Sequence, residues 1–236
     1  MRLAHECVAV AQMVPTMARR AILRCYACGK PATGREHVPP QCFFPDDLRE
    51  NLLTVPSCEV HNNRNSKDVE YVRNVLICAA ELGPESKTVF DKALRSFSRS
   101  ESLFKRTFDS LKPVHFRGYE TGAFQVDQAR FRKVMASIAS ALHFHDIASR
   151  RRSWRVFSPS LHNQASLAGI PDDWSRLRRR IADFRFQYID TPQQAVFTYG
   201  RVEAGTWAVV YQLIFYDAIV VNVWSSNSVD RLAVKV

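Results

Sequence analysis

Cys25-Tyr26-Ala27-Cys28 and Cys58-Glu59-Val60-His61 are two ligand pairs with the same two-residue spacer. Thiolate and imidazole are the donors tetrahedral zinc prefers, and a turn on one side with a helix start on the other presents two donors each. Four protein donors leave no open position for water, so this site is expected to be structural. It would tie a long loop to the following helix in a segment with little core of its own. Cys7, Cys42 and Cys78 have no partner at ligand spacing. Cys42 and Cys78 read as small buried hydrophobes.

Between the two pairs the chain is punctuated by turn signals at Cys28-Gly29-Lys30-Pro31, Thr33-Gly34, Val38-Pro39-Pro40 and Phe44-Pro45-Asp46-Asp47. Hairpins and loops are expected there. After Cys58 the pattern changes. Val60, Val69, Val72, Val75, Leu76 and Ala79 recur at helical spacing as far as Leu82, and Gly83-Pro84 is a stop. The second ligand pair therefore sits on the first turns of a helix.

Three further stretches stand between and after the pairs: Gly34-Arg35-Glu36-His37-Val38-Pro39-Pro40, Glu50-Asn51-Leu52-Leu53-Thr54-Val55, and His61-Asn62-Asn63-Arg64-Asn65-Ser66-Lys67. With the paired ligands, they make the segment from about residue 22 to 82 resemble an HNH-type endonuclease domain, in its zinc-containing form ending in Asn. The resemblance implies a small zinc-stabilised ββα-metal domain and hydrolysis of a phosphodiester bond. It makes Cys25, Cys28, Cys58 and His61 the structural zinc ligands. It makes His37 the general base, a role suited to an imidazole near neutral pH. Asn51 would hold the loop that carries His37. Asn62 stands where the name-giving pattern has its final His. An amide oxygen there suits Mg²⁺ or Mn²⁺ better than a soft metal. Glu36 falls at the acidic metal-ligand position beside the base. Asn65, three residues after Asn62, falls on nearly the same helix face as a further ligand. Arg35 and Lys67 are candidates for phosphate contacts.

The rest of the chain exceeds what that motif needs. Residues 85 to 112 read as a second helical stretch. Asp127 precedes a stronger helix with Phe131, Val134, Met135, Ile138, Leu142 and Ile147 on one face, and Pro171 opens another. The last third alternates as strands do, around residues 184–189, 195–199 and 207–224, with a turn from Gly200 to Gly205. The fold class is α+β, with a mostly antiparallel β region. Residues 1–17 read as a loosely ordered extension, 18–84 as the zinc and nuclease domain, and 85–236 as an α+β region that grips substrate or a partner. Arg151, Arg178 and Arg179 lie in basic runs that suit phosphate contacts.

Composition bounds the alternatives. The 236 residues carry 33 Lys plus Arg against 23 Asp plus Glu, a formal charge of +10, which suits a polyanionic partner. With 46% hydrophobic residues, the chain is neither disordered nor short of core. No apolar run approaches the ~20 residues of a membrane span. No secretory signal is legible, so a reducing, cytoplasmic setting is expected, where close-set cysteines favour metal over disulfide. Two functions fit: a metal-dependent endonuclease acting on DNA, and an inactive zinc module that binds nucleic acid.

Overall fold

A computed structural model describes residues 23–63, 65–80, 83–116, 118–150, 153–161, 185–204 and 208–225. It is an α+β protein with antiparallel sheets. Strands β1 (Gly34–His37) and β2 (Thr54–Ser57) form a two-stranded sheet, with Glu36 opposite Val55 and His37 opposite Thr54. Helices α1 (Glu59–Asn63) and α2 (Ser66–Ala79) follow. The expected single helix is thus two. The sequence Asn62-Asn63-Arg64-Asn65-Ser66 explains the break, because Asn and Ser compete with helical backbone bonds and favour caps. Asn65 is the residue before α2, and its carbonyl accepts the first helical bond, from the Val69 N–H at 2.8 Å. The register also changes. Tyr71, Val72, Val75, Leu76 and Ile77 are buried, whereas Val60 points to solvent at 66% exposure.

The second helical stretch is likewise two, α3 (Pro84–Arg99) and α4 (Glu101–Thr107), divided at Ser100, whose side chain caps α4. A hairpin that the sequence reading does not anticipate comes next, β3 (Lys112–Phe116) with β4 (Tyr119–Ala123). Pro113, Gly118 and Gly122 interrupt its hydrophobic pattern, which hides it from periodicity. Helix α5 (Gln128–Ile147) begins as expected. Asp127 caps it by accepting from the N–H groups of Ala129 and Arg130. Phe131, Val134, Met135, Ile138 and Leu142 are buried, but Ile147 is exposed.

The remaining strands are β5 (Trp154–Phe157), β6 (Gln187–Ile189), β7 (Phe197–Ala204), β8 (Ala208–Phe215) and β9 (Ile219–Ser225). They form one antiparallel sheet in the order β5-β9-β8-β7-β6. Gly200 does not open a turn. It lies inside β7 opposite Gln212, and a Cβ there would sit 3.0 Å from both Phe186 and the Tyr188 ring. The glycine serves a close approach between side chain and backbone. Strand β7 runs on to Ala204, which pairs with Ala208 of β8, so the connection expected from Gly200 begins only after Ala204. The turn between β8 and β9 uses Tyr216 and Asp217, both at φ 52.

One hydrophobic cluster joins these parts. It runs from Cys25, Val38 and Phe43 through α2 and α5 to Phe215, Val221 and Val223 of the sheet. Helix α5 is the common neighbour, touching α2, β2, β5 and β9. The loop after β1 is pinned directly to the sheet. Phe43 meets Phe215 edge-on at 5.8 Å, and the Tyr216 hydroxyl donates to the Phe43 carbonyl at 2.7 Å. The predicted helix at Pro171 falls outside the described residues. No described helix is long and apolar enough to cross a membrane.

Candidate functional site

The first pair sits on a tight turn. The Gly29 N–H donates to the Cys25 carbonyl at 3.0 Å, and Gly29 takes φ +77, a conformation that disfavours side chains. The Tyr26 N–H donates to Pro56 at 2.9 Å, which docks the turn on β2. The second pair opens α1, where the N–H groups of His61 and Asn62 both donate to the Cys58 carbonyl at 3.0 Å. The donor atoms of Cys25, Cys28, Cys58 and His61 all lie within 4.8 Å of one another, close enough to hold a metal ion. Cys28 Sγ and Cys58 Sγ are 3.8 Å apart. Two sulfurs at ~2.3 Å from a tetrahedral zinc would stand about 3.8 Å apart, so the spacing is compatible with zinc. Cys58 Sγ is 3.2 Å from His61 Nδ1. Burial alone would raise the pKa of Cys25, but backbone N–H groups of Cys28, Cys58 and Ala27 point at its sulfur and bring it down to about 7. That favours the thiolate a metal requires. The described cysteines are free, and Cys42 and Cys78 pack against the core half-buried.

Beside this cluster lies a cleft of about 510 Å³. Five sequence-predicted residues line it: Glu36 and His37 from β1, Asn62 from α1, Asn65 before α2, and Lys67 from α2. Below it, Val134, Ser137, Ile138 and Ala141 of α5 border a small cavity that Glu36, His37 and Asn65 share. Helix α5 therefore lies behind Glu36, His37 and Asn65 across that cavity, while the cleft itself is lined from the segment between Glu36 and Arg73.

Glu36 is held from behind. Ser57 Oγ donates to its Oε2 at 3.4 Å. Burial raises its carboxyl pKa, and the hydroxyls of Tyr26 and Ser57 offset part of that rise. Tyr26 is 3% exposed and is hydrogen-bonded to Ser137 of α5 at 3.0 Å. Its own phenol is pushed up by burial and by the neighbouring Glu36 charge. Asn65 stands at the cap position of α2, yet its side chain makes no cap bond, and its buried Oδ1 has no partner among the described residues. A buried acceptor left open is costly and rare.

Two predicted residues lie elsewhere. Asn51 is exposed in the turn before β2 with φ 56, where Asn is readily tolerated. Arg35 is bound to its neighbouring strand, with Nε donating to Thr54 Oγ1 at 2.7 Å. Arg151, Arg178 and Arg179 lie outside the described residues. Sequence reasoning missed Glu70 and Arg73, which line the cleft with Ser66. Their i, i+4, i+7 spacing was a legible polar stripe on α2. It also missed Tyr26 and Ser137, whose pairing across the fold leaves no local signal.

No family model, no curated protein and no solved structure matches the chain.

Proposed function

We propose that the chain is a metal-dependent endonuclease of the HNH type that hydrolyses phosphodiester bonds of DNA. The observation that carries the reading is the convergence of His37, Glu36, Asn62 and Asn65 in one cleft beside a four-donor Cys/His cluster. The order of the β1–β2 pair, the cluster and α1 suits a ββα-metal unit. Zinc on Cys25, Cys28, Cys58 and His61 would be structural.

The donor set fits a hard divalent ion. It combines one carboxylate with neutral amide oxygens, and the Asn65 Oδ1 is a buried acceptor in need of a partner. Glu36, Asn62 and Asn65 would hold Mg²⁺ or Mn²⁺, which supplies Lewis-acid polarisation of the phosphate and stabilises the leaving oxygen. His37 takes the proton from the attacking water. Lys67, with no carboxylate partner among the described residues, neutralises phosphate charge. Arg35, bonded to Thr54, steadies the strand pair that presents His37, and Asn51 would hold the loop that carries it. The +10 charge of the chain favours a polyanion, and Arg151, Arg178 and Arg179 are part of that excess.

The test is nicking of supercoiled plasmid in Mg²⁺ or Mn²⁺ by wild type and His37→Ala at equal zinc content. Cleavage by wild type alone is expected, with a loss of about 10²–10⁴-fold in the variant. Equal cleavage by both refutes the role of His37. DNA binding with no cleavage by either would make the chain a zinc-dependent binding module.

A further inference from the structure

The cleft holds an arginine that the hydrolytic reading does not use. Arg73 lines it six residues along α2 from Lys67, and its side chain is only 13% exposed. Its fork is fixed by a neutral partner. Nε and Nη2 both donate to Asn74 Oδ1, at 3.1 and 2.8 Å, and Asn74 is itself 0% exposed. Among the described residues the nearest carboxylate, Glu70, is 4.0 Å away and 45% exposed. Other arginines are better matched although more exposed. Arg130 has Asp68 at 2.9 Å with 30% exposure, and Arg49 has Asp46 at 2.5 Å with 26%. A guanidinium this buried and this weakly paired carries an unrecovered desolvation cost. Its Nη1–Nη2 edge, which does not face Asn74, has a fork geometry that matches a phosphate.

We infer that Arg73 binds a backbone phosphate of the substrate strand, next to the one attacked at His37. Lys67 and Arg73 are separated by roughly 9 Å along the helix axis. Both side chains line the cleft, so a strand lying in it meets both, and Asn74 keeps the Arg73 guanidinium oriented before the strand arrives. This inference rests on the nuclease reading for its substrate, but its test does not need cleavage.

Binding of a fluorescent duplex oligonucleotide is measured by anisotropy from 50 to 200 mM salt without added Mg²⁺ or Mn²⁺. Wild type is compared with Arg73→Gln and Arg73→Lys at matched zinc content and unfolding temperature. Arg73→Gln is expected to bind roughly tenfold more weakly, the scale of a charge-assisted hydrogen bond. Its log–log salt slope should fall by about 0.9, one phosphate contact. Arg73→Lys should keep the slope and lose part of the affinity, because it keeps the charge and not the fork. Wild-type affinity and slope in Arg73→Gln overturn the inference, as does wild-type affinity in Arg73→Lys should Arg73→Gln fail to fold. No duplex binding by wild type overturns it too. Expected binding shifts with no nicking by wild type leave the phosphate contact standing and remove the nuclease reading.

Discussion

Stripping zinc from Cys25, Cys28, Cys58 and His61 is expected to lower the unfolding temperature by a calculable amount. The ion would cross-link Cys28 to Cys58 across a sequence separation of 30 residues. The loop-entropy relation for a covalent cross-link of that span gives about 3.5 kcal/mol at 25 °C. For a chain of this size, each kcal/mol moves the midpoint by about 2–4 °C, so a fall of about 7–14 °C follows. The true figure should lie at or above this range. Without a cation, sulfurs 3.8 Å apart must repel as thiolates or take up protons. The assay is thermal unfolding of the zinc-loaded protein, of the same protein after chelation, and of Cys58→Ser, with zinc counted by metal analysis. One zinc per chain and a midpoint that returns on adding zinc back are expected. Equal midpoints with and without zinc, or no uptake of zinc by wild type, would refute the structural role.

Two further perturbations probe how the motif segment is held to α5. Asp68 accepts from Arg130 Nε at 2.9 Å and from Lys133 Nζ at 2.7 Å, bridging α2 and α5. Burial alone would raise its pKa, but Lys133 and Arg130 outweigh it and leave the carboxyl below its ordinary 3.8. A lowered folded pKa stabilises fully above the unfolded value and is lost as pH falls through the folded one. Wild type should exceed Asp68→Asn by about 1 kcal/mol near pH 6, since both pairs are partly exposed. The two should converge as pH falls below 3.8 and through the lowered folded pKa; a gap independent of pH would refute the ion-pair account. Tyr26→Phe removes a buried hydroxyl shared with Ser137 and Glu36, and should cost about 1–2 kcal/mol at unchanged zinc content. Unaltered stability in that variant would show that the bridge to α5 contributes nothing.

The parts legible in the sequence were those carried by rare residues at fixed spacing. Two Cys/His pairs suffice to place four donors, because few other arrangements use that chemistry at that separation. The helix of Phe131 to Leu142 was legible for a different reason: it has one strong face and a capping Asp127. What misled was periodicity read across a local conflict. Val60 joins Val69 and Val72 only in a count of apolar residues: nine residues at about 100° each would set it roughly opposite Val69 on one continuous helix. The Asn-rich link separates α1 from α2, and Val60 faces solvent. Gly200 was misread because a glycine in a turn and a glycine under an aromatic ring look alike in one dimension.

The helix behind the cleft was beyond reach for a deeper reason. Ser137 is an ordinary small residue on an apolar helix, and nothing near it in sequence speaks of a site. It acquires meaning only because α5 packs against both β2 and α2, which sets its hydroxyl against Tyr26, and Tyr26 lies between two of the clustered cysteines. Cluster, carboxylate and helix are thus mechanically connected. A displaced turn at Cys25–Cys28 moves Tyr26, Tyr26 is a partner of both Ser137 and Glu36, and Glu36 borders the cleft. The shared hydrophobic cluster points the same way, since Cys25, Val38 and Phe43 are buried with residues of α5 and the sheet. The residues after position 85 therefore do more than extend the motif segment: through α5 they back the residues that line its cleft.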